Sequence, residues 1–226
     1  MNLLNPYRFA AAGGDPDFAS VSLLLHCDGT NGSTTFTDNS TSPKTVTAFG
    51  NAQVTTTAPK FGTGALLLDG ANDYISASAS ADFNFGTSNL TVEFFVRWTS
   101  ISGLNFLFDI SAQSFALRFQ DGNNFLLYLG GVIQSGITVV GLTADTWYYI
   151  AVVRSDNSFT LYIDGVAKGT RTSSAAVGSS ALPLVVGATV TGAFGIPGRI
   201  DEFRVTKGVA RYTANFTPPT APFPNS

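Results

Sequence analysis

The chain has 226 residues, a formal net charge of −3 and a sequence pI near 4.9. Charged residues make up 12% of it, about half the ~25% of an ordinary soluble domain, and no Lys/Arg cluster offers itself to the phosphates of a nucleic acid. No apolar run approaches the ~20 residues of a membrane-spanning helix, and the single cysteine, Cys27, excludes an intrachain disulfide and reads as a buried thiol.

The first twenty residues read as an appendage. An aromatic head, Pro6-Tyr-Arg-Phe, precedes a small-residue linker, Ala10-Ala-Ala-Gly-Gly-Asp-Pro-Asp, whose turn formers favour flexibility. The N-terminus lacks the charged-then-apolar layout of a secretory signal. This segment is expected to anchor the domain to another protein.

From Val21 onward, short strand-like runs alternate with turn signals. Val21 to Cys27 is the first run, followed by an oxygen-rich, glycine-rich loop, Asp28-Gly-Thr-Asn-Gly-Ser. Gly64 to Ile75 holds a strand, a turn and the start of another strand. Leu90 to Trp98 alternates most clearly: Val92, Phe94, Val96 and Trp98 on one face, Thr91, Glu93, Phe95 and Arg97 on the other. Runs from Phe106, Phe115 and Phe125 follow at intervals of about ten residues, then Trp147–Arg154, Ser158–Ile163 and Leu184–Gly187. Asp121-Gly122 and Asp164-Gly165 mark hairpin turns, where both central residues take positive φ. Scarce Lys, Glu and Met with abundant Phe, Thr, Val and Gly disfavour helix. The expected fold is all-β: one sandwich of two sheets, six or seven strands each, spanning residues 21–217.

In the last long run, Gly198 to Thr213, period two puts Asp201 with Phe203 and Val205, and Ile200 with Glu202 and Arg204. A carboxylate on an apolar face needs a cation or several N–H donors, because burying it unpaired costs several kcal/mol. Residues 218–226 follow as a tail with four of the ten prolines. Such a segment either lies extended over the domain or trails off from it.

Four separated pieces carry a family resemblance: Leu23-Leu-Leu-His-Cys-Asp-Gly, Gly62 to Ile75, Leu90 to Trp98, and Gly198-Arg-Ile-Asp-Glu-Phe-Arg-Val. Trp147 to Arg154 and Leu161-Tyr-Ile-Asp-Gly also fit. Together they resemble the laminin-G/pentraxin-like branch of the concanavalin A-like lectin/glucanase superfamily. The resemblance implies a jelly roll of two curved antiparallel sheets. The ending from Gly208 to Pro224 is similar to such domains in bacteriophage structural proteins. That similarity implies a virion component that binds a glycan or another virion protein. The resemblance further implies one structural Ca²⁺ bridging the first and last strands. Here it would be held by Asp28, Asp201 and a carbonyl near Gly64, because Ca²⁺ takes six to eight oxygens, many of them backbone carbonyls. Amide donors or a neighbouring arginine on Asp201 are the metal-free alternative.

No catalytic residue is expected. Glycosidases similar to this family carry two glutamates on one strand, and two-carboxylate hydrolysis needs its pair ~5–10 Å apart. Glu93 has no second acid two or four residues on, and Glu202 lies far along the chain. His26 and Cys27 are adjacent in a strand, so they point to opposite faces. For glycan recognition the candidates are Asn72, Asp73, Tyr74, Asn123 and Asn124, with Tyr148 and Tyr162 as further aromatics. Each also has a plain structural role open to it, as a turn former or a core tyrosine. The resulting expectation is a non-enzymatic virion adhesion protein on the phage surface. Its N-terminal segment would bind other virion proteins, with a homo-oligomer compatible and no nucleic-acid or membrane partner. The alternatives are a purely architectural head-decoration or tail protein, a secreted bacterial lectin module and, last, a hydrolase.

Overall fold

The computed structural model describes residues 14–226, and among these eighteen strands form three antiparallel sheets. Strands are numbered along the chain. The first sheet contains β1 (Val21–Leu25), β3 (Gln53–Thr55), β4 (Ala65–Asp69), β7 (Leu90–Trp98), β13 (Tyr148–Ser155), β14 (Ser158–Ile163), β15 (Val166–Thr172) and β18 (Pro197–Lys207). Its order is β15-β14-β13-β7-β18-β4-β3. The second contains β2 (Val46–Phe49), β5 (Tyr74–Ala77), β8 (Leu104–Ile110), β9 (Phe115–Gln120), β10 (Asn124–Leu129), β11 (Val132–Ile133), β12 (Ile137–Thr138) and β17 (Leu184–Val186), in the order β11-β10-β9-β8-β17-β5-β2. A small sheet pairs β6 (Asn84–Gly86) with β16 (Val177–Gly178). Each large sheet has seven positions and one extra strand. The extra strand of the first is β1, which lies on β18 opposite Phe203–Thr206, while β4 takes Pro197–Ile200 on the same side.

The alternation read from Leu90 to Trp98 holds. Val92, Phe94, Val96 and Trp98 are fully buried between the sheets, in one cluster with Phe108, Phe115, Phe119 and Phe125. Phe94 stacks on Phe203 at 5.3 Å within its sheet and meets Phe108 edge-on at 6.3 Å across the gap. Each such side chain contributes about 1.5–3 kcal/mol by burial, so this aromatic layer is the main cohesive element. The Asp121-Gly122 and Asp164-Gly165 turns both have positive φ at both residues, as expected.

Strict period two fails in β18. Asp201 faces Phe95 and Arg204 faces Glu93, so two residues, Glu202 and Phe203, stand against one, Phe94. Glu202 has φ 52°, as a bulge residue does. The extra residue inverts the phase of the strand. Asp201 therefore shares the outer face with Arg204, while Phe203 and Val205 point inward with Ile200. The expected grouping of Asp201 with Phe203 and Val205 is corrected accordingly.

The outer face of the first sheet carries a second apolar cluster, including Leu24, Phe95, Tyr149, Tyr162, Tyr212 and Phe223, with Phe18, Phe61 and Phe216 packed against it. Residues 14–20 and the C-terminal segment thus belong to the body. Asp15 N donates to the Ser226 carbonyl, and the Pro-rich tail lies over the domain with Phe223 buried. Residues 1–13, with the head Pro6–Phe9 and most of the expected anchor, lie outside the described residues.

Candidate functional site

The two outer faces of the sandwich differ in chemistry. On the first sheet, Glu93 is completely buried beneath the terminal segments. Arg204 donates to it from Nε at 2.7 Å and to Asp15 from Nη1 at 2.9 Å. Arg211 grips both oxygens of Asp15, at 2.9 and 2.7 Å. The Tyr149 and Tyr212 hydroxyls donate to the second oxygen of Glu93, and the Arg204 guanidinium lies 3.8 Å from the centre of the Phe223 ring. Burial raises the pKa of Glu93, but Arg204, Arg211 and the two tyrosines outweigh it and hold the carboxyl below its usual range. The network fastens Asp15 from one end of the chain and Arg211, Tyr212 and Phe223 from the other onto β7 and β18.

A second latch lies beside it. Glu202 accepts from His26 Nδ1 at 2.8 Å and from the Phe223 amide at 2.8 Å, while His26 Nε2 meets Asn225 Oδ1 at 2.7 Å. Burial lowers the His26 pKa, and Glu202 with Asn225 more than offsets this, so the net shift is upward. Sequence distance concealed that Glu202 stands on the strand next to Glu93. Both carboxylates are nonetheless buried and committed to the terminal segments, not aimed at a cleft. Cys27 is buried, and burial pushes its thiol well above the ordinary value, which suppresses the reactive thiolate.

Asp28, Gly64 and Asp201, expected to hold Ca²⁺, do converge on one loop, residues 60–64. Asp201 accepts from the amides of Lys60, Phe61 and Glu202 at 2.8, 3.0 and 2.9 Å. Asp28 accepts from the amides of Thr63 and Gly64 and from the Thr63 hydroxyl. Gly64 presents an N–H to Asp28, not a carbonyl. Hydrogen atoms face the oxygens that a cation would need, and among the described residues no group of three His, Cys, Asp or Glu is arranged for a metal. This donor set does not fit Ca²⁺. Burial and the Glu202 charge push Asp201 up to about 8, with its amide donors pulling the other way.

Among the described residues, no terminal chain covers the outer face of the second sheet. The loop between β17 and β18 stands on it as a ridge: Val190 N donates to the buried Asp109 at 3.1 Å, and Phe194 accepts through its carbonyl from Phe106 N at 2.9 Å. On one flank of the ridge Tyr74 stacks on Phe49 at 4.5 Å and 7°. On the other, Phe106 lies 6.1 Å from Phe194 and 5.6 Å from Tyr128. Phe194 is 54% exposed and Phe49 41%, high values for rings of this size. Next to Phe106 on β9 is Arg118, which donates to Tyr128 Oη at 3.1 Å and to Gln120 Oε1. Aromatic faces beside a guanidinium and amides can receive the C–H faces and hydroxyls of a sugar together.

The expected glycan residues scatter over this frame. Asp73 is buried and accepts from the amides of Asn51 and Asp69, and Asn72 has φ 64°, so this pair builds the turn between β4 and β5. Tyr74 does lie on the open face. Asn123 is in the β9–β10 turn, with its carbonyl accepting from Val139 N. Asn124 stands opposite Gln120, four strand positions from Tyr74, or about 19 Å at the usual strand spacing. Tyr148 donates or accepts at Thr143, and Tyr162 belongs to the covered cluster. Phe106, Arg118, Tyr128 and Phe194 escaped the sequence reading. The signal available was the alternation of Arg118 and Gln120 with Leu117 and Phe119, which marks them as outward-facing.

Residues 69–211 match the family model Laminin_G_3, described as concanavalin A-like lectin/glucanases superfamily. The chain belongs to the concanavalin A-like lectin/glucanase superfamily. No curated protein matches the sequence. Among solved structures, the binding domain of Paraclostridial Mosquitocidal Protein 1 is similar, with TM-score 0.67 and 14% identity over 86% of this chain and 50% of that one. The receptor-binding domain of botulinum neurotoxin C/D mosaic serotype gives 0.63 and 16% over 86% and 49%. The binding domain of botulinum neurotoxin DC, in complex with rat synaptotagmin II, gives 0.65 and 14% over 86% and 50%. The chain therefore spans about half the length of these structures. At such identities the likeness concerns the jelly-roll fold of the superfamily.

Proposed function

We propose that the protein is a non-enzymatic adhesion module that binds glycans through the outer face of its second sheet. The observation that carries this reading is the asymmetry of the sandwich. One outer face is sealed by the chain's own terminal segments, and the other presents Phe49, Tyr74, Tyr128 and Phe194 beside Arg118 and Gln120. Exposed aromatic side chains grouped on one face mark an interaction site. Membership of the lectin/glucanase superfamily supports it. So do the similar structures, which are binding domains of toxins; one is described through the interaction of botulinum neurotoxin type C with two ganglioside molecules. The burial of Glu93 and Glu202 argues against two-carboxylate hydrolysis. A place on a phage particle is supported by the ending Gly208–Pro224, which is similar to phage structural proteins.

A glycan array probed with the wild-type protein and with Phe194→Ala tests the reading. Binding to a defined set of glycans that Phe194→Ala weakens is the expected result, and a blank array counts against it. A purely architectural role is the second reading, favoured by Val132 (62% exposed) and Ile133 (43%) on the edge strand β11, where apolar side chains invite a protein neighbour. Mass spectrometry of purified particles decides the virion assignment for both.

A further inference from the structure

Arg118 and Arg199 lack a carboxylate partner among the described residues, unlike the arginines that hold the fold together, and of the two only Arg118 lies on the open face of the second sheet. Arg97, Arg204 and Arg211 pair with Asp145, Glu93 and Asp15. Arg154 and Arg171 are spent on backbone carbonyls. Arg118 instead sits half-buried on the open face and has no carboxylate partner among the described residues. Its neighbours are neutral: the Tyr128 hydroxyl takes one N–H from Nη1 and the Gln120 side-chain oxygen one from Nη2. A guanidinium has five N–H donors. Nε is enclosed and unmatched, so one hydrogen on each terminal nitrogen is left uncommitted. Two uncommitted N–H groups on one guanidinium can act as a fork that receives a carboxylate.

The surroundings fix the fork in place. The guanidinium carbon lies 5.9 Å from the centre of the Tyr128 ring, and Phe106 occupies the neighbouring strand position. Two acids lie near on this face. Asp109 is buried and turned to the amides of Gln113 and Val190. Asp121, in the hairpin turn, accepts from the Gln120 amide at 3.2 Å. Neither reaches Arg118, yet both would repel an anion that approached elsewhere on the face. Arg118 therefore offers a negative group an attractive position next to the aromatic surface of Tyr128 and Phe194.

We infer that this face is specific for acidic glycans, with Arg118 receiving a sugar carboxylate while Tyr128 and Phe194 pack against the ring. The inference rests on the glycan-binding reading above and adds the substrate class. Uronic and sialic acids present the same carboxylate, so the test has one arm for each. Affinities are measured for a polyuronate against its carboxyl-reduced form, and for sialyllactose against lactose. In at least one arm the acid binds tenfold or more tighter than its neutral counterpart, and rising salt weakens the acid form alone. Arg118→Gln abolishes the preference, with a melting curve checking that the variant folds. Phe194→Ala, at an exposed position, weakens acid and neutral forms alike and leaves their ratio unchanged. Equal binding of acid and neutral forms by the wild type, or a preference that survives Arg118→Gln or high salt, overturns the assignment while glycan binding itself stands. Absence of binding in both arms and on the array removes both readings.

Discussion

Glu93→Met probes how the covered face is held. The carboxylate is the common acceptor for Arg204, Tyr149 and Tyr212, and its loss leaves Arg204 buried with only Asp15 as counter-charge, a charge Arg211 shares. Breaking one partner of a buried pair costs about 3–5 kcal/mol. For a domain of this size each kcal/mol lowers the melting temperature by about 2–4 °C, so Glu93→Met should melt about 10 °C below wild type. The double variant Glu93→Met/Arg204→Met removes both charges and leaves Asp15 with Arg211. It should recover most of the loss, because an apolar replacement of a whole buried pair is often near neutral. Differential scanning calorimetry of the three proteins at pH 7 gives the comparison. A single variant that melts with wild type, or a double variant less stable than the single, would refute the view that this network is desolvated and mutually compensated. The pH dependence has a definite sign. The folded carboxyl titrates below its unfolded value of 4.5, so its contribution is present above that pH and is lost as pH falls through the folded value.

Three further outcomes follow from the same geometry. The His26 pKa is raised above 6.5, so its ion pair with Glu202 stabilises the tail below that pH and fades as pH rises through the folded value. Melting temperature should drop between pH 6 and pH 9 in wild type, with a shallower drop in His26→Gln; parallel curves would exclude the latch. Gly165→Ala places a Cβ on the Phe216 carbonyl oxygen at φ 75°, so it should lift the C-terminal segment and raise its susceptibility to protease, beyond the ~1 kcal/mol expected from backbone strain alone. Finally, since amides and not oxygens face Asp28 and Asp201, Ca²⁺ added to chelator-treated protein should leave the melting curve where it was; a saturable upward shift would restore the metal.

The fold was legible because burial in a sandwich is periodic. Leu90 to Trp98 and Ser158 to Ile163 coincide with β7 and β14, and the Asp121-Gly122 and Asp164-Gly165 turns take the positive φ that Asp-Gly demands. Short edge and pairing strands were not legible: β2, β3, β11 and β12 are two to four residues long, too short for alternation to register. The bulge in β18 was hidden for a different reason. Glu202 has no sequence mark of a left-handed residue, and only the partner strand reveals that two residues oppose Phe94. One undetected residue moved Asp201 to the other side of the sheet.

The site was harder to read than the fold because surface chemistry depends on what covers a face, and coverage is a long-range property. Tyr149 and Tyr162 have the same alternating context as Tyr128, yet the first two lie under Tyr212 and Phe216 while Tyr128 faces outward with Arg118. The terminal segments decide this difference. Gly208 to Phe223 crosses the first sheet because Arg211, Tyr212 and Phe223 find Asp15, Glu93 and Glu202 there. The second sheet offers the tail no comparable buried charge, since Arg118 has neutral partners and Asp109 is already satisfied by amides. The charge pattern that fixes the described terminal segments on one face is thus also what keeps them off the aromatic face of the other.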